Sequence, residues 1–214
     1  MRLPLVLVPL HVLLLLLLPP SAHATQVLSM DLGAMAAQAD VVVHARVLHT
    51  GPVAVTDRGD VLDEGTALAG GHGRLRYETR VLLEVIETLK VDSAAAPGPR
   101  LSFHLAGGRI GRFAQVVAGT PRVVVGDELV VMLERRSSSP VLQVVGFSQG
   151  LWRTAALVGL DPLARSDRTG AELLPGPAGD VAPLIDVRPL DALLSELRRV
   201  IAAMAAAAPE GGRR

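Results

Sequence analysis

Residues 40–49 constrain the fold more than any other segment of the chain, because one face of the segment is uniformly apolar from Val41 to Val47 and the other carries polar side chains. Val41, Val43, Ala45 and Val47 fall on one side, and His44, Arg46 and Leu48 fall on the other. Side chains of a β-strand point to opposite faces in turn, so this pattern predicts a half-buried strand. A strand of this kind needs partners, and the rest of the chain must supply a sheet.

Further segments have strand character. Residues 74–90 alternate at their start and are rich in β-branched residues, which favours a strand, although Leu82, Val85, Ile86 and Leu89 also keep helical spacing. Residues 100–105 and 128–134 predict two more strands, and residues 141–154 predict a strand or a bent strand pair with bulges at Gly146 and Gly150. The sequence therefore predicts a mainly β protein, with five or six strands in a small closed barrel of OB-like type.

Two helices are predicted to flank this barrel. A short helix runs to Gln38, with Ser29 as its N-cap. A C-terminal amphipathic helix over residues 189–206 opens at Pro189 and carries one apolar stripe, which we expect to pack on the chain's own barrel. Residues 207–214 should fray.

Two stretches show no periodicity. Residues 50–74 contain six glycines and four scattered acidic residues, and they predict one long loop that is either functional or disordered. Residues 159–188 are rich in proline and glycine and predict an extended linker. The expected organisation is a barrel domain over 25–158, this linker, and the helix.

The first 24 residues have the order of a cleavable signal peptide: Arg2, an apolar stretch to Leu18, two prolines, and small residues at Ala22 and Ala24. The alternative, an uncleaved anchor, is disfavoured because about 20 apolar residues are needed to span a bilayer. Cleavage would leave 214 less 24, or 190, residues beginning at Thr25, with no later transmembrane segment. We therefore expect an exported protein, periplasmic or extracellular. It should have one hydrophobic core and no disulfide bond to stabilise it, because the sequence has no cysteine.

Composition and motifs exclude several classes of function. The formal net charge is zero and only five residues are aromatic, so nothing favours nucleic-acid binding. No zinc motif or nucleophile elbow occurs in the sequence, and we predict no cofactor and no metal. For the acidic residues Asp57, Asp60, Asp63 and Glu64 we predict a solvated loop, with a weak calcium site as the minor alternative. Gly107, Gly108 and Gly111 resemble a phosphate loop only superficially and favour a tight turn, because no helix is predicted to follow.

One resemblance rests on three segments. The Ala39–Val47 strand, the segment from Arg76-Tyr77-Glu78 to Lys90, and the strand that follows Gly126-Asp127 resemble the netrin-like module, and more closely the inhibitory domain of tissue inhibitors of metalloproteinases. The resemblance covers roughly residues 25–150 and implies a five-stranded OB barrel. In that family the amino group and carbonyl of the first mature residue, a disulfide-bonded cysteine, chelate the protease zinc. The corresponding residue here is Thr25, and the cysteines are missing.

These observations together predict a non-enzymatic, exported binding or envelope-associated module. The alternatives are a secreted inhibitor of a zinc protease that acts through Thr25, and a hydrolase whose site the sequence does not reveal. Segments 50–74 and 106–122 are the predicted contact loops. Thr25, Gly107, Gly108 and Gly111 are the candidate binding residues.

Overall fold

The computed structural model describes residues 25–71, 73–92, 98–135, 141–156, 159–177 and 179–207. The predicted signal peptide, residues 1–24, and residues 208–214 of the predicted tail lie outside this set. The protein is mainly β, with one large sheet, a short helix near the N-terminus and a C-terminal helix, as predicted.

The described elements are thirteen strands and three helices. The strands are β1 (Thr25–Leu28), β2 (Val41–Thr56), β3 (Val61–Leu62), β4 (Leu75–Val91), β5 (Arg100–Ala106), β6 (Gly108–Ile110), β7 (Phe113–Gln115), β8 (Glu128–Arg135), β9 (Leu142–Val144), β10 (Leu151–Ala155), β11 (Leu163–Asp167), β12 (Ala171–Leu174) and β13 (Ile185–Pro189). The helices are α1 (Leu32–Gln38), α2 (Glu64–Ala69) and α3 (Leu190–Ala207).

Nine of the described strands form one sheet in the order β13-β11-β10-β8-β9-β5-β4-β2-β3, and β8 pairs with β2 as well. Five strands of this sheet form a ring of successive pairings, in the order β2, β4, β5, β9, β8 and back to β2. The barrel is nevertheless not closed. The parallel β5–β9 ladder has two residue pairs, Phe103 with Leu142 and His104 with Gln143.

The predicted barrel is therefore wrong in its closure, and the sheet continues beyond the ring of five strands. The physical reason lies in β8, where residues Glu128–Val131 pair with β10 and Leu133–Arg135 pair with β9. The edge of β8 that would pair with β9 along its whole length to close the barrel is thus divided between β9 and β10. From β10 the sheet continues outward through β11 and β13.

Two apolar cores lie on the two sides of the central strands. Val41, Val43, Ala45 and Val47 point into the inner core together with Phe103, Leu129 and Val131, which confirms the predicted alternation. Val42, Met132 and Trp152 face the opposite side, where they pack against α1 and α3. The stripe Leu190, Leu193, Leu194 and Leu197 is buried there, so α3 packs on its own sheet as predicted.

Residues 50–74 do not form the predicted loop. Strand β2 continues to Thr56, and β3 and α2 follow within the same segment. Gly51 and Pro52 read as strand breakers, but at this point β2 pairs with β4 only, since its ladder to β8 ends at Arg46. Proline is tolerated at such a free edge because its missing N–H has no ladder partner to lose.

Residues 159–188 are not a linker either. They hold β11, β12 and β13, and β11 joins the large sheet between β10 and β13. Strand β12 pairs in parallel with β1 in a separate two-stranded sheet, so the first and last thirds of the described chain meet. Each of these strands has four or five residues, which is too few to show a period between prolines and glycines.

The start and the end of α1 are both fixed by side chains. Asp31, not Ser29, is its N-cap and accepts a hydrogen bond from the Ala34 N–H, while Ser29 Oγ accepts one from Ala182 N–H at 2.7 Å. At the other end, Lys90 Nζ donates to the carbonyl of Ala36 at 3.1 Å and also to those of Ala37 and Ala39. The only lysine of the chain thus satisfies carbonyls that a helix C-terminus leaves unpaired.

Within the described ranges, no helix combines the length and the apolar character needed to cross a membrane.

Candidate functional site

A cavity of about 250 Å³ opens on the face of β4 and β5. Its wall includes Glu78 from β4, His104 from β5 and Gln143 from β9, and Thr120 and Phe147 complete it from connecting segments. We call it the small cavity. It is the place where buried polar side chains of the barrel strands meet open space.

His104 and Glu78 form a buried pair at this cavity. His104 Nδ1 lies 2.9 Å from Glu78 Oε2, and the two side chains are 2% and 10% exposed. The register pairs Arg80 with His104, which places Glu78 two residues away on the same face. The carboxylate holds the ring through Nδ1, so the other ring nitrogen, Nε2, is the atom left to act on a ligand.

Gly108 lets the β6–β7 hairpin close over this pair. A Cβ at Gly108 would lie 2.5 Å from the backbone oxygen of Glu78, so no other residue fits there without displacement. Gly107 has φ +87°, lines the small cavity, and its carbonyl accepts a hydrogen bond from Thr79 Oγ1 at 2.9 Å. These glycines therefore allow close backbone approach beside the cavity.

Phe147 adopts a left-handed backbone conformation at φ +70°, alone among the described residues other than glycine. Such a conformation is uncommon for a bulky residue and persists only where the surroundings impose it. Gln149 supplies that constraint: its Oε1 accepts from Met30 N–H at 2.9 Å, and its Nε2 donates to the carbonyl of Leu28 at 2.8 Å. The turn that brings Phe147 to the cavity wall is thus anchored to the N-terminal segment.

A second, larger cavity of about 510 Å³ lies over β10 and β11. Three guanidinium groups line it, from Arg122, Arg153 and Arg165, together with Asp167 and Thr169. Hydrogen bonds from the Thr169 hydroxyl and N–H hold the pKa of Asp167 below its usual value, and nearby Arg165 lowers it further. Asp167 therefore stays ionised at neutral pH, and the cavity wall has an excess of positive charge.

Residues 116–125, which we call the dividing loop, separate the two cavities. Thr120 and Pro121 line both of them. The loop carries three exposed valines, of which Val116 is 92% exposed. Gly119 packs directly on Gly170, so the loop is held against the turn between β11 and β12.

The structure places the predicted site residues as follows. Thr25 begins β1, and its hydroxyl donates to the carbonyl of Ala118 in the dividing loop at 2.8 Å. Gly107 and Gly108 lie at the small cavity and its covering hairpin. Gly111 is in the hairpin turn, where its N–H donates to Glu64 Oε1 at 3.3 Å. A hairpin and not a helix follows Gly107, as predicted, but only Gly111 lies in its turn, since Gly108 pairs with Gln115 as part of β6.

The acidic residues of segment 50–74 have local structural roles. Asp63 caps α2 by accepting from Thr66 N–H at 2.8 Å, and Asp60 Oδ2 accepts from Thr56 Oγ1 at 3.1 Å. Among the residues that the structure describes, no three His, Asp or Glu side chains are grouped so that they could hold a metal ion. The calcium alternative thus gains no support from the arrangement of these residues.

The predicted contact segment 106–122, with Gly107, contributes to both cavity walls, but sequence reasoning missed the lining residues outside that segment. Glu78 and His104 lie 26 positions apart, and only the β4–β5 register brings them together. A signal was present for His104 alone, because it lies in a strand between the apolar residues Phe103 and Leu105. Arg122, Arg153 and Arg165 carry no such signal, because they belong to three separate segments that meet only in the folded protein.

In comparisons with known proteins, no family, no curated protein and no solved structure matches this chain.

Proposed function

We propose that this protein is an exported, non-enzymatic binding module of OB-like type that recognises its partner at the small cavity and the dividing loop. The observation that carries the proposal is the cavity across β4 and β5, which joins buried polar groups to an exposed loop. Loops held on a rigid sheet are the usual carriers of recognition.

The strand pairing supports the OB-like assignment. Five strands, β2, β4, β5, β9 and β8, follow one another by pairing and return to β2, with one parallel pair and an incomplete closure. An OB fold is a five-stranded, partly open Greek-key barrel that binds ligands on the face of its second and third strands. Counted within this ring, those strands are β4 and β5, where the small cavity lies. The argument is one of fold analogy.

Export is the first part of the proposal to test. Expression of the full chain in a bacterium and mass spectrometry of the purified product should show a mature N-terminus at Thr25. A product that retains residues 1–24, or that stays in the cytoplasm, would contradict export.

Site-specific photo-crosslinking tests the binding function. A photoreactive amino acid at Val116, which is 92% exposed, should form a discrete adduct in cells that export the protein. The matched control is Val61 in β3, which is 38% exposed and is not in the wall of either cavity. Absence of an adduct at Val116, or the same adduct from both positions, would overturn the proposed surface.

Inhibition of a zinc protease is a second candidate, favoured by the position of Thr25. The Thr25 hydroxyl is bonded to Ala118, and β1 is paired with β12, so an ordered N-terminus lies beside the dividing loop without a disulfide. The test is to assay the mature protein against secreted zinc proteases. Inhibition that is lost when one residue is added before Thr25 supports chelation by the N-terminus, whereas unchanged inhibition rules that mechanism out.

A hydrolase is the third candidate, favoured by the His104–Glu78 pair. A carboxylate that orients a histidine ring is the arrangement used to position a general base. Hydrolysis of ester or peptide substrates that disappears in His104→Gln, and persists in His44→Gln, would support it. Equal activity in both variants would count against it.

A further inference from the structure

The larger cavity contains two like charges placed directly opposite each other. Arg153 of β10 and Arg165 of β11 are cross-strand partners in the antiparallel ladder, and both line the cavity. Like charges at directly opposed positions destabilise a sheet. Their side chains are 46% and 54% exposed, so both guanidinium groups remain accessible from the cavity.

Two carboxylates balance part of this charge. Arg153 Nε lies 3.1 Å from Asp127 Oδ2, and Arg165 Nη2 lies 2.9 Å from Asp167 Oδ2. Arg153 also donates to the backbone carbonyl of Arg122, which fixes the dividing loop beside it. The Arg122 guanidinium itself has no carboxylate partner among the described residues. The positive charge of Arg122 is therefore not compensated by a carboxylate, whereas Arg153 and Arg165 beside it are each oriented by an ion pair.

A hydroxyl completes the set of donors. Thr120 lines both cavities, and its Oγ1 atom is buried and has no hydrogen-bond partner within the described part of the chain. A buried polar atom without a partner costs free energy, and in native proteins it usually signals a water or a ligand. The wall of the larger cavity thus has one uncompensated arginine and two arginines held by carboxylates, next to a threonine whose hydroxyl is unpaired within the described residues. The volume of this cavity falls in the range of small-molecule sites.

We propose that the larger cavity binds an anionic group of a ligand, a carboxylate or a phosphate, between Arg122, Arg165 and the Thr120 hydroxyl. The inference goes beyond the proposed function, because it adds a ligand site in the larger cavity, which shares the dividing loop with the small cavity. Planar guanidinium groups suit both anions because they donate two parallel hydrogen bonds. Asp167, which also lines the cavity, disfavours ligands of high negative charge.

The test is isothermal titration calorimetry of the mature protein at low ionic strength, with inorganic phosphate and succinate as separate probes and sodium chloride at matched ionic strength as the screening control. We expect saturable binding of at least one probe. Arg122→Gln and Arg165→Gln should each weaken it roughly tenfold, since a hydrogen bond to a charged group is lost. The control Arg199→Gln removes an exposed arginine of α3 with no partner among the described residues, and should change affinity less than about twofold.

The outcomes separate the sources of the charge. Binding of phosphate alone indicates a phosphate ligand, and binding of succinate alone indicates a carboxylate ligand. Binding of both probes shows that the site binds anions without distinguishing phosphate from carboxylate. Binding of neither, or equal weakening by Arg199→Gln, overturns the inference. A retained Val116 adduct with no anion binding would overturn this inference only, and anion binding without an adduct would overturn only the proposed partner surface.

Discussion

Gly119 and Gly170 are packed so closely that a Cβ at Gly170 would lie 2.5 Å from the Cα of Gly119. Gly119 itself has φ +80°, and a Cβ there would lie 2.7 Å from the Gly170 carbonyl oxygen. This contact joins the dividing loop to the turn after β11. It therefore sets the distance between the wall that carries Arg122 and the wall that carries Arg165.

Replacing Gly170 with alanine should open this contact. Because the methyl group would meet backbone and not a flexible side chain, we expect a loss of about 1–3 kcal/mol in the free energy of unfolding. Urea denaturation measures it. The control Gly98→Ala adds a methyl group where nothing lies within 4 Å, and should change stability little. Equal effects of the two variants would contradict the close packing.

His104→Leu should destabilise the protein by about 3 kcal/mol, since it leaves the buried Glu78 carboxylate without its partner. Adding Glu78→Leu to this variant should recover part of the loss, so the two single effects will not add. The comparison is His44→Leu, whose partner Glu128 is 30% exposed and stays hydrated. That variant should cost about 1 kcal/mol. Denaturant unfolding of the wild type, His104→Leu, Glu78→Leu and the double variant tests the cycle, and strictly additive effects would mean that the pair is not coupled.

Lys90→Met keeps the apolar stem but removes the ammonium group from the C-terminus of α1. We expect a loss of about 1–3 kcal/mol, because three carbonyls lose a charged donor. Faster hydrogen exchange should appear in α1. The control Arg80→Met removes an exposed charge from the same strand, and it should leave the exchange of α1 unchanged.

Thr169→Val removes the hydroxyl that hydrogen bonds to Asp167, so the pKa of Asp167 should rise toward its usual value. The wild type has the lower folded-state pKa, and its added stability is therefore present at neutral pH and lost as pH falls below about 4. Since Asp167 is 47% exposed, the difference should stay below about 1 kcal/mol. Urea unfolding at pH 7 and pH 3 measures it, with the exposed Thr88→Val as control. A difference that grows toward acid would contradict this assignment.

Regular alternation made much of the fold predictable. The inner face of β2, the strand character of β4 and the stripe of α3 follow from local spacing, because one side of each element faces an apolar core. Closure of the barrel was not predictable in this way. It depends on how β8 divides one edge between β9 and β10, and this is a matter of register between distant segments.

The cavities were less predictable than the strands. Of the three candidate glycines, Gly111 lies in the hairpin turn and Gly108 lies in β6. The side chains around the cavities come from separate parts of the chain. Thr120 is unremarkable in sequence and matters because its hydroxyl is buried without a partner within the described residues. The short strands β11 to β13 have the composition of a linker, because strands of four or five residues carry little pattern of their own.

The parallel pairing of β1 with β12 also has a consequence for the order in which the chain can fold. Gln26 and Glu172 are 146 positions apart, so the first described strand has no partner until most of the polypeptide has been synthesised. Contacts between residues so far apart form late and slow the folding of the whole domain. During synthesis β1 is thus left unpaired until β12 has been made, after all the strands of the five-strand ring.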